Sequence, residues 1–278
     1  MQLFITSLNS GSNGNCYYVG NEQEAVLVDV GICCRQIEIR MKRLGLSMDK
    51  VKAVFISHEH SDHIRGVEIV AKKYKLPVYI TSQTLRNSRL YLPKSQVFTF
   101  EAYQPVFIGE LCVLPFPKKH DASDPHSFTV TYQDLTVGVF TDIGLSCEHV
   151  IRHFSQCHAA FLEANYDEEM LEKGKYPIYL KRRIRGGHGH LSNRQALQLF
   201  TSSRPPYMSH LLLSHLSHEN NNPDLVKELF SAHAQDTEIV VASRFYETPV
   251  YTISHTSLSA NTIPRRSYGI PQQLHLPL

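Results

Sequence analysis

His58, Glu59, His60, Ser61, Asp62 and His63 stand directly after the apolar run Val51, Ala53, Val54, Phe55, Ile56. Three imidazoles and two carboxylates within six residues can surround one point with lone pairs, if a loop brings positions i, i+2, i+4 and i+5 together. Imidazole and carboxylate donors suit zinc, manganese or iron. A solvated polar turn is the alternative in a chain with 16 histidines. A motif is judged by its context, however, and here a strand feeds the loop and a helical pattern starts at Ile64.

The elements around this stretch are legible from periodicity and turn residues. Strands are expected over 3–8, 16–19, 25–31, 51–56, 78–80, 97–100, 111–116, 128–132, 136–141, 159–162, 211–214, 239–242 and 250–253. Helices are expected over 37–46, 67–74, 82–90, 168–173 and 194–202. Asp29, His58, His120, Asp142, Glu163 and His215 each fall at or just past the carboxyl end of an apolar run. One edge of the sheets would therefore gather them, on loops aimed by rigid strands. Asp29 closes an otherwise apolar run, and a buried carboxylate needs a partner. The Asn- and Gly-rich stretch 9–15 is most economically a hairpin turn. It also exposes backbone amides that form a possible phosphate cradle at Ser12 and Asn13. Two β-rich halves with helices outside make an α/β (α+β) chain, a four-layer αββα sandwich.

Composition sets the bounds. The chain has 278 residues, 42% hydrophobic and 19% charged. That is a globular protein with a sizeable core, not a disordered or fibrous one. No linker divides it, so one domain is expected over 1–262, with an irregular tail over 263–278. A net charge of +2 identifies no partner by itself. The densest basic run, Lys181 to Arg185 (KRRIR), stands just upstream of a His- and Gly-rich loop and favours a functional reading, whereas Lys72 to Lys75 and Arg265-Arg266 are expected to be solvated. Six cysteines without a CxxC pair suggest reduced thiols in a cytoplasmic protein. The start carries no signal-peptide pattern, no stretch is long enough to span a bilayer, and neither a membrane nor an obligate protein partner is expected.

The string His58-Glu59-His60-Ser61-Asp62-His63 resembles the HxHxDH signature of the metallo-β-lactamase superfamily, whose αββα fold agrees with the pattern above. The resemblance implies two divalent ions, zinc or manganese with iron possible. His58, His60 and His120 would hold the first, and Asp62, His63 and His215 the second. Asp142 would bridge them, with Asp29 orienting the loop from behind. His120 matches by its His-Asp-Ala setting, Asp142 by Thr-Asp-Ile-Gly and His215 by Leu-Ser-His-Leu-Ser. Paired ions bring a shared water to near-neutral pKa and neutralise an anionic substrate, so a metal-bridged hydroxide would be the nucleophile.

Glu163-Ala164-Asn165 and Gly189-His190-Leu191-Ser192 resemble elements of ribonuclease Z. By that likeness His190 protonates the departing 3′ oxygen and Glu163 orients it, giving His190, Glu163 and Asp62 as catalytic candidates. His188 is a weaker rival to His190. The same loop opens a helix, which suggests phosphate contacts at Ser192 and Asn193. Gly11 to Cys16 (GSNGNC), Lys119-His120-Asp121-Ala122, Leu162 to Asp167 (LEANYD), Gly187 to Asn193 (GHGHLSN) and His215 to Asn221 (HLSHENN) resemble the YycJ/WalJ-type branch, which implies a 5′ to 3′ exonuclease acting on DNA more than on RNA. The tRNA-gripping arm of ribonuclease Z has no counterpart stretch, and no inserted β-CASP domain fits between Asp142 and His215. A small-molecule phosphodiesterase, a glyoxalase-like thioesterase and a non-catalytic metal-bound binding protein are the competing readings.

Overall fold

The structure is a computed structural model that describes residues 1–255. The first half runs β1 (Leu3–Asn9), β2 (Cys16–Gly20), β3 (Ala25–Val28), α1 (Cys34–Arg43), β4 (Val51–Phe55), α2 (Ser61–Ile64), α3 (Val67–Tyr74), β5 (Val78–Tyr79), α4 (Ser82–Ser88) and β6 (Val97–Phe98). The second runs β7 (Val106–Ile108), β8 (Leu111–Pro117), β9 (His126–Tyr132), β10 (Leu135–Phe140), α5 (Glu148–Phe154), β11 (Ala159–Glu163), α6 (Glu168–Lys173), α7 (Ile178–Arg185), α8 (Asn193–Ser203), β12 (His210–Ser214), α9 (Pro223–Ser231), β13 (Glu238–Val241) and β14 (Tyr251–Ile253).

Two seven-stranded sheets result, ordered β14-β1-β2-β3-β4-β5-β6 and β13-β12-β11-β10-β9-β8-β7. Alternation along the strands explains the layers. In β3, Val26 and Val28 face the second sheet, while Ala25 and Leu27 face helices α1 and α3. In β12, Leu212 faces inward, while Leu211 and Leu213 meet α5, α8 and α9. Strands buried on both faces read as unbroken apolar runs, as parallel strands do. The inter-sheet core is stitched by Tyr17 against Phe161 (ring centroids 4.9 Å apart) and Phe55 against Phe128 (5.7 Å). This is the expected αββα sandwich.

Each sheet is mixed. β3, β4, β5 and β6 run parallel in the first, and β10, β11, β12 and β13 in the second. Their carboxyl ends open on one edge, where α/β proteins place their ligands. Asp29, His58, Asp142, Glu163 and His215 all lie there, and His120 follows β8.

Several elements were not expected from sequence. β7 has only three residues, too few for a periodic signal, and α7 carries an amphipathic pattern, with Leu180 and Ile184 half-buried on one side, inside a stretch read for its charge alone. α5 and α9 also carry one: Val150, His153 and Phe154 are buried on α5, and Val226 and Phe230 on α9, which Asn222 caps before Pro223. The helix after the hexapeptide begins earlier than Ile64, at Ser61, so Asp62 and His63 ride on a helical turn. The expected boundary at 262 and the irregular segment 263–278 lie outside the described residues. Among the described residues no helix is long and apolar enough to cross a membrane. All six cysteines are free thiols.

Candidate metal centre

Asp29 holds the hexapeptide from behind. Its Oδ1 accepts the Ser57 amide (2.8 Å) and its Oδ2 the Ser57 hydroxyl (2.8 Å), and Oδ2 lies 2.7 Å from Nδ1 of His63. All three residues are buried. A carboxylate at Nδ1 fixes the ring and turns Nε2 outward, an arrangement common behind metal-ligating histidines. The close approach depends on Gly31, where a Cβ would sit 1.7 Å from the Asp62 carbonyl oxygen.

Three imidazole nitrogens meet in front of this support. Nδ1 of His60 lies 3.1 Å from Nε2 of His58 and 3.3 Å from Nε2 of His120. The far nitrogens are anchored: Nδ1 of His58 to the Ser57 hydroxyl (2.8 Å) and Nδ1 of His120 to the Gly189 carbonyl (3.0 Å). Beside them, Oδ2 of Asp62 lies 3.5 Å from Nε2 of His63 and 3.4 Å from Nε2 of His215. Asp142 joins the two groups, 3.0 Å from Nε2 of His63, 3.5 Å from Nε2 of His215 and 3.7 Å from Nε2 of His120.

These residues fit divalent cations. Nitrogen and carboxylate donors within 4.8 Å of one another form the groups His58/His60/His120, His58/His63/Asp142, Asp62/His63/His215 and Asp142/Glu163/His190/His215. The Oδ2 of Asp142 is buried, lacks a well-aligned hydrogen bond among the described residues and lies 3.0 Å from Nε2 of His63. A buried carboxylate oxygen needs a positive partner, which a protonated His63 supplies here and a divalent cation would supply in its place.

The protonation pattern of the metal-free chain follows from crowding. Burial alone disfavours a charged His215, but Asp142, Asp62 and Glu163 outweigh it and raise the imidazole to about 10. His63 is likewise held well above its ordinary value against burial by Asp142, Asp29 and Asp62. Burial pushes His120 down to about 4, Asp142 opposing and Lys118 and His190 assisting. Burial, with His63 and Lys118, also pushes His58 down. Asp142 itself sits well below the carboxylate range, because His215 and His63 overcome its burial.

A cation needs the lone pair that His215 uses to hold its proton. Below about pH 10 metal uptake must therefore release that proton, and affinity falls as pH falls. Calorimetric titration at pH 7.5 in two buffers of different ionisation enthalpy is expected to show release of about one proton or more. Identical heats in both buffers would contradict the assignment of His215 as a donor.

Glu163 organises the opposite wall from the end of β11. Its Oε2 accepts the amides of Ile143 (2.8 Å) and Leu191 (3.1 Å), and its Oε1 lies 2.7 Å from Nδ1 of His190 and 3.2 Å from Nδ1 of His215. Burial opposes its ionisation, yet His190 and His215 lower it to about 2. His190 is partly exposed, with Nδ1 3.7 Å from Oδ1 of Asp142. The sequence-derived pair is thus brought together beside the seven donors.

Other expected contacts are not. Ser192 and Asn193 are buried with their polar groups engaged. Ser192 caps α8 in a reciprocal box with Gln195 and donates its hydroxyl to Glu168. Asn193 pairs with Asn221, and its amide meets the Tyr166 carbonyl. Their side chains hold the loop, and the Ser-x-x-Gln spacing was the signal for that role. Asn13 is tied to the Arg244 carbonyl (2.9 Å), which leaves Ser12 exposed at the turn. His188 is exposed and makes no hydrogen bond among the described residues. In the basic run, Arg183 pairs with Asp121 and Arg185 with Glu172, so part of its charge is matched internally.

Four residues at the centre were not singled out from sequence. Nδ2 of Asn15 lies 3.2 Å from Oδ2 of Asp62 and 3.1 Å from Nε2 of His63. Nδ2 of Asn165 donates to the His215 carbonyl (2.7 Å). Ser57 links Asp29 to both His58 and His63. Lys118 is a buried cation that donates to the carbonyl of Thr141, next to Asp142 (2.6 Å). Burial lowers its pKa, with Asp142 and Asp29 opposing. For Asn15 the one sequence cue was its place in the turn 9–15; for the buried lysine there was none.

The chain is similar to proteins already characterised. It is 32% identical over 249 residues to the exodeoxyribonuclease YycJ of Bacillus anthracis, which covers 88% of this chain and 94% of that protein. It is 33% identical over 228 residues to the exodeoxyribonuclease WalJ of Streptococcus pneumoniae serotype 2 (strain D39), covering 80% of this chain and 83% of that protein. The solved metallo-beta-lactamase fold protein YhfI from Bacillus subtilis shares the fold at a TM-score of 0.69 and 18% identity, over 90% of this chain and 99% of that one. Residues 10–180 match the family described as the metallo-beta-lactamase superfamily. With the histidine and aspartate donors gathered at one sheet edge, the chain belongs to the metallo-beta-lactamase superfamily.

Proposed function

We propose that this chain is a metal-dependent phosphodiester hydrolase that degrades DNA from the 5′ end. The observation that carries the reading is a carboxylate-anchored imidazole, His190 on Glu163, beside seven cation donors. The exodeoxyribonuclease names of the relatives supply the substrate class. The reading takes residues 1–262 as one hydrolase domain in the cytoplasm, a setting in keeping with six free thiols.

In this reading His58, His60 and His120 would hold one divalent ion and Asp62, His63 and His215 a second, with Asp142 within reach of both sets. Such ions would supply an acidified water and neutralisation of phosphate charge. The chain supplies the rest. Asp29, Ser57 and Asn15 fix the donors, so little reorganisation is needed when substrate arrives. Glu163 stays ionised and accepts from Nδ1 of His190, which leaves Nε2 to carry a proton to the leaving oxygen. An alkoxide leaving group needs that proton.

The test is an assay on 5′- and 3′-labelled DNA with zinc or manganese added back, coupled to elemental analysis. Mononucleotides released first from the 5′ end are expected. Turnover of bis-p-nitrophenyl phosphate with all DNA untouched would assign a small-molecule phosphodiesterase instead.

A further inference from the structure

A cleft of about 370 Å³ opens beside the metal centre, lined by Ser10, Leu216, His218, Asn221, Arg244 and Phe245 among others. Its volume suits one nucleotide unit. Its floor is continuous with the donors. The Ser10 hydroxyl accepts the His215 amide (2.7 Å), the Ser10 amide meets the Ser243 carbonyl (3.1 Å), and Leu216 follows His215 directly.

The rim carries what a nucleic-acid strand requires. Arg244 is half-buried, lies 5.8 Å from the centroid of the Phe245 ring, and among the described residues makes no ion pair and donates no hydrogen bond. Phe245 and Tyr246 are 59% and 68% exposed. Exposed aromatics usually belong to loose loops, but this loop is fastened. The amides of Phe245 and Tyr246 meet the Ser243 hydroxyl (3.0 and 3.4 Å). The buried Arg40 donates to the Phe245 carbonyl (2.9 Å) and to Asn9, and lies 3.9 Å from Glu247. Thr248 is bonded to β1 at Thr6 and Ser7. Apolar rings held rigidly in water mark a surface that binds something. An unpaired guanidinium adjoining them selects an anion with a flat face.

We propose that this rim is the seat of the DNA strand: Arg244 meets a backbone phosphate, Phe245 and Tyr246, whose rings are tilted 56° to one another with centroids 6.4 Å apart, each stack a separate base of single-stranded DNA, and the cleft takes one nucleotide beside the scissile bond. The inference rests on the nuclease reading and assigns its substrate form. Stacking tolerates any base, so the platform gives affinity without sequence preference.

The test is binding of a fluorescent single-stranded oligonucleotide with phosphorothioate linkages that resist cleavage, followed by anisotropy on the full, metal-loaded chain. Phe245→Ala is expected to weaken binding about tenfold, the effect of losing one stacked base. Phe245→Trp should restore it. Arg244→Gln should reduce the salt slope of the binding constant by about 0.7, the signature of one lost phosphate contact on a single strand. A control substitution of another exposed ring, Phe107→Ala on β7, is expected to change nothing. Wild-type affinity in both Phe245→Ala and Arg244→Gln overturns the platform while leaving the nuclease reading intact, and is also the outcome expected if a protein seats on these rings. Absence of any DNA binding and cleavage by the unmodified chain overturns both.

Discussion

The His60→Ala chain is expected to purify with its metal largely lost and with no measurable hydrolysis, while keeping its fold. His60 contributes one of three imidazoles converging in front of β4. Its side chain is half-buried, and its hydrogen-bond contacts are the other two rings. Removing it takes a contact only from Nε2 of the buried His58 and Nε2 of His120, imidazoles that burial keeps uncharged, so no buried charge is left without a partner. Substituting Asp142 would be a poorer test, because His63 and His215 rely on that carboxylate and would be left as buried cations. Removing an outer partner of a metal ligand costs about 10- to 100-fold in affinity, and loss of a donor itself should exceed that. Elemental analysis and a thermal melt read the two halves of the expectation separately. Full metal content with full activity would remove His60 from the centre.

His190→Ala is expected to retain its metal and lose about 10²- to 10⁴-fold in turnover of DNA, the range associated with general acid catalysis. The loss should depend on the leaving group. A p-nitrophenolate leaves without a proton, so bis-p-nitrophenyl phosphate should suffer far less than DNA, whose alkoxide needs one. A merely structural histidine would depress both substrates alike, and that result sinks the proton-donor role. Glu163 is less informative because its Oε2 also holds the amides of Ile143 and Leu191. Its truncation would leave both unpaired in the interior.

What could be read in advance divides along physical lines. Apolar runs with a polar residue at their carboxyl end located Asp29, His58, Asp142, Glu163 and His215, because strand burial and strand termination both leave local marks. The hexapeptide was legible for the same reason. Positioning residues were not: Asn15, Ser57, Lys118 and Asn165 act through contacts far along the chain, such as Asn15 with Asp62 and Lys118 with Thr141. At Ser192 and Asn193 the sequence did not show the internal capping and pairing, because a helix start that could face a phosphate and one that is capped internally share the same residue types. Helix α7 was missed because its basic residues drew the reading toward charge and its apolar side is short, with Leu180 and Ile184 only half-buried and Ile178 and Tyr179 exposed.

The first sheet is closed by the last described strand: β14 lies against β1, with Leu3 opposite Ile253. During synthesis β1 leaves the ribosome long before β14, so its outer edge waits for a partner far along the chain. His215 also arrives late. A nascent chain therefore carries the hexapeptide without a complete cage until His215 has emerged, and pairings so distant in sequence form slowly. The full donor set can take up metal only after that point, and chains stalled before residue 251 expose a bare β1 edge to aggregation.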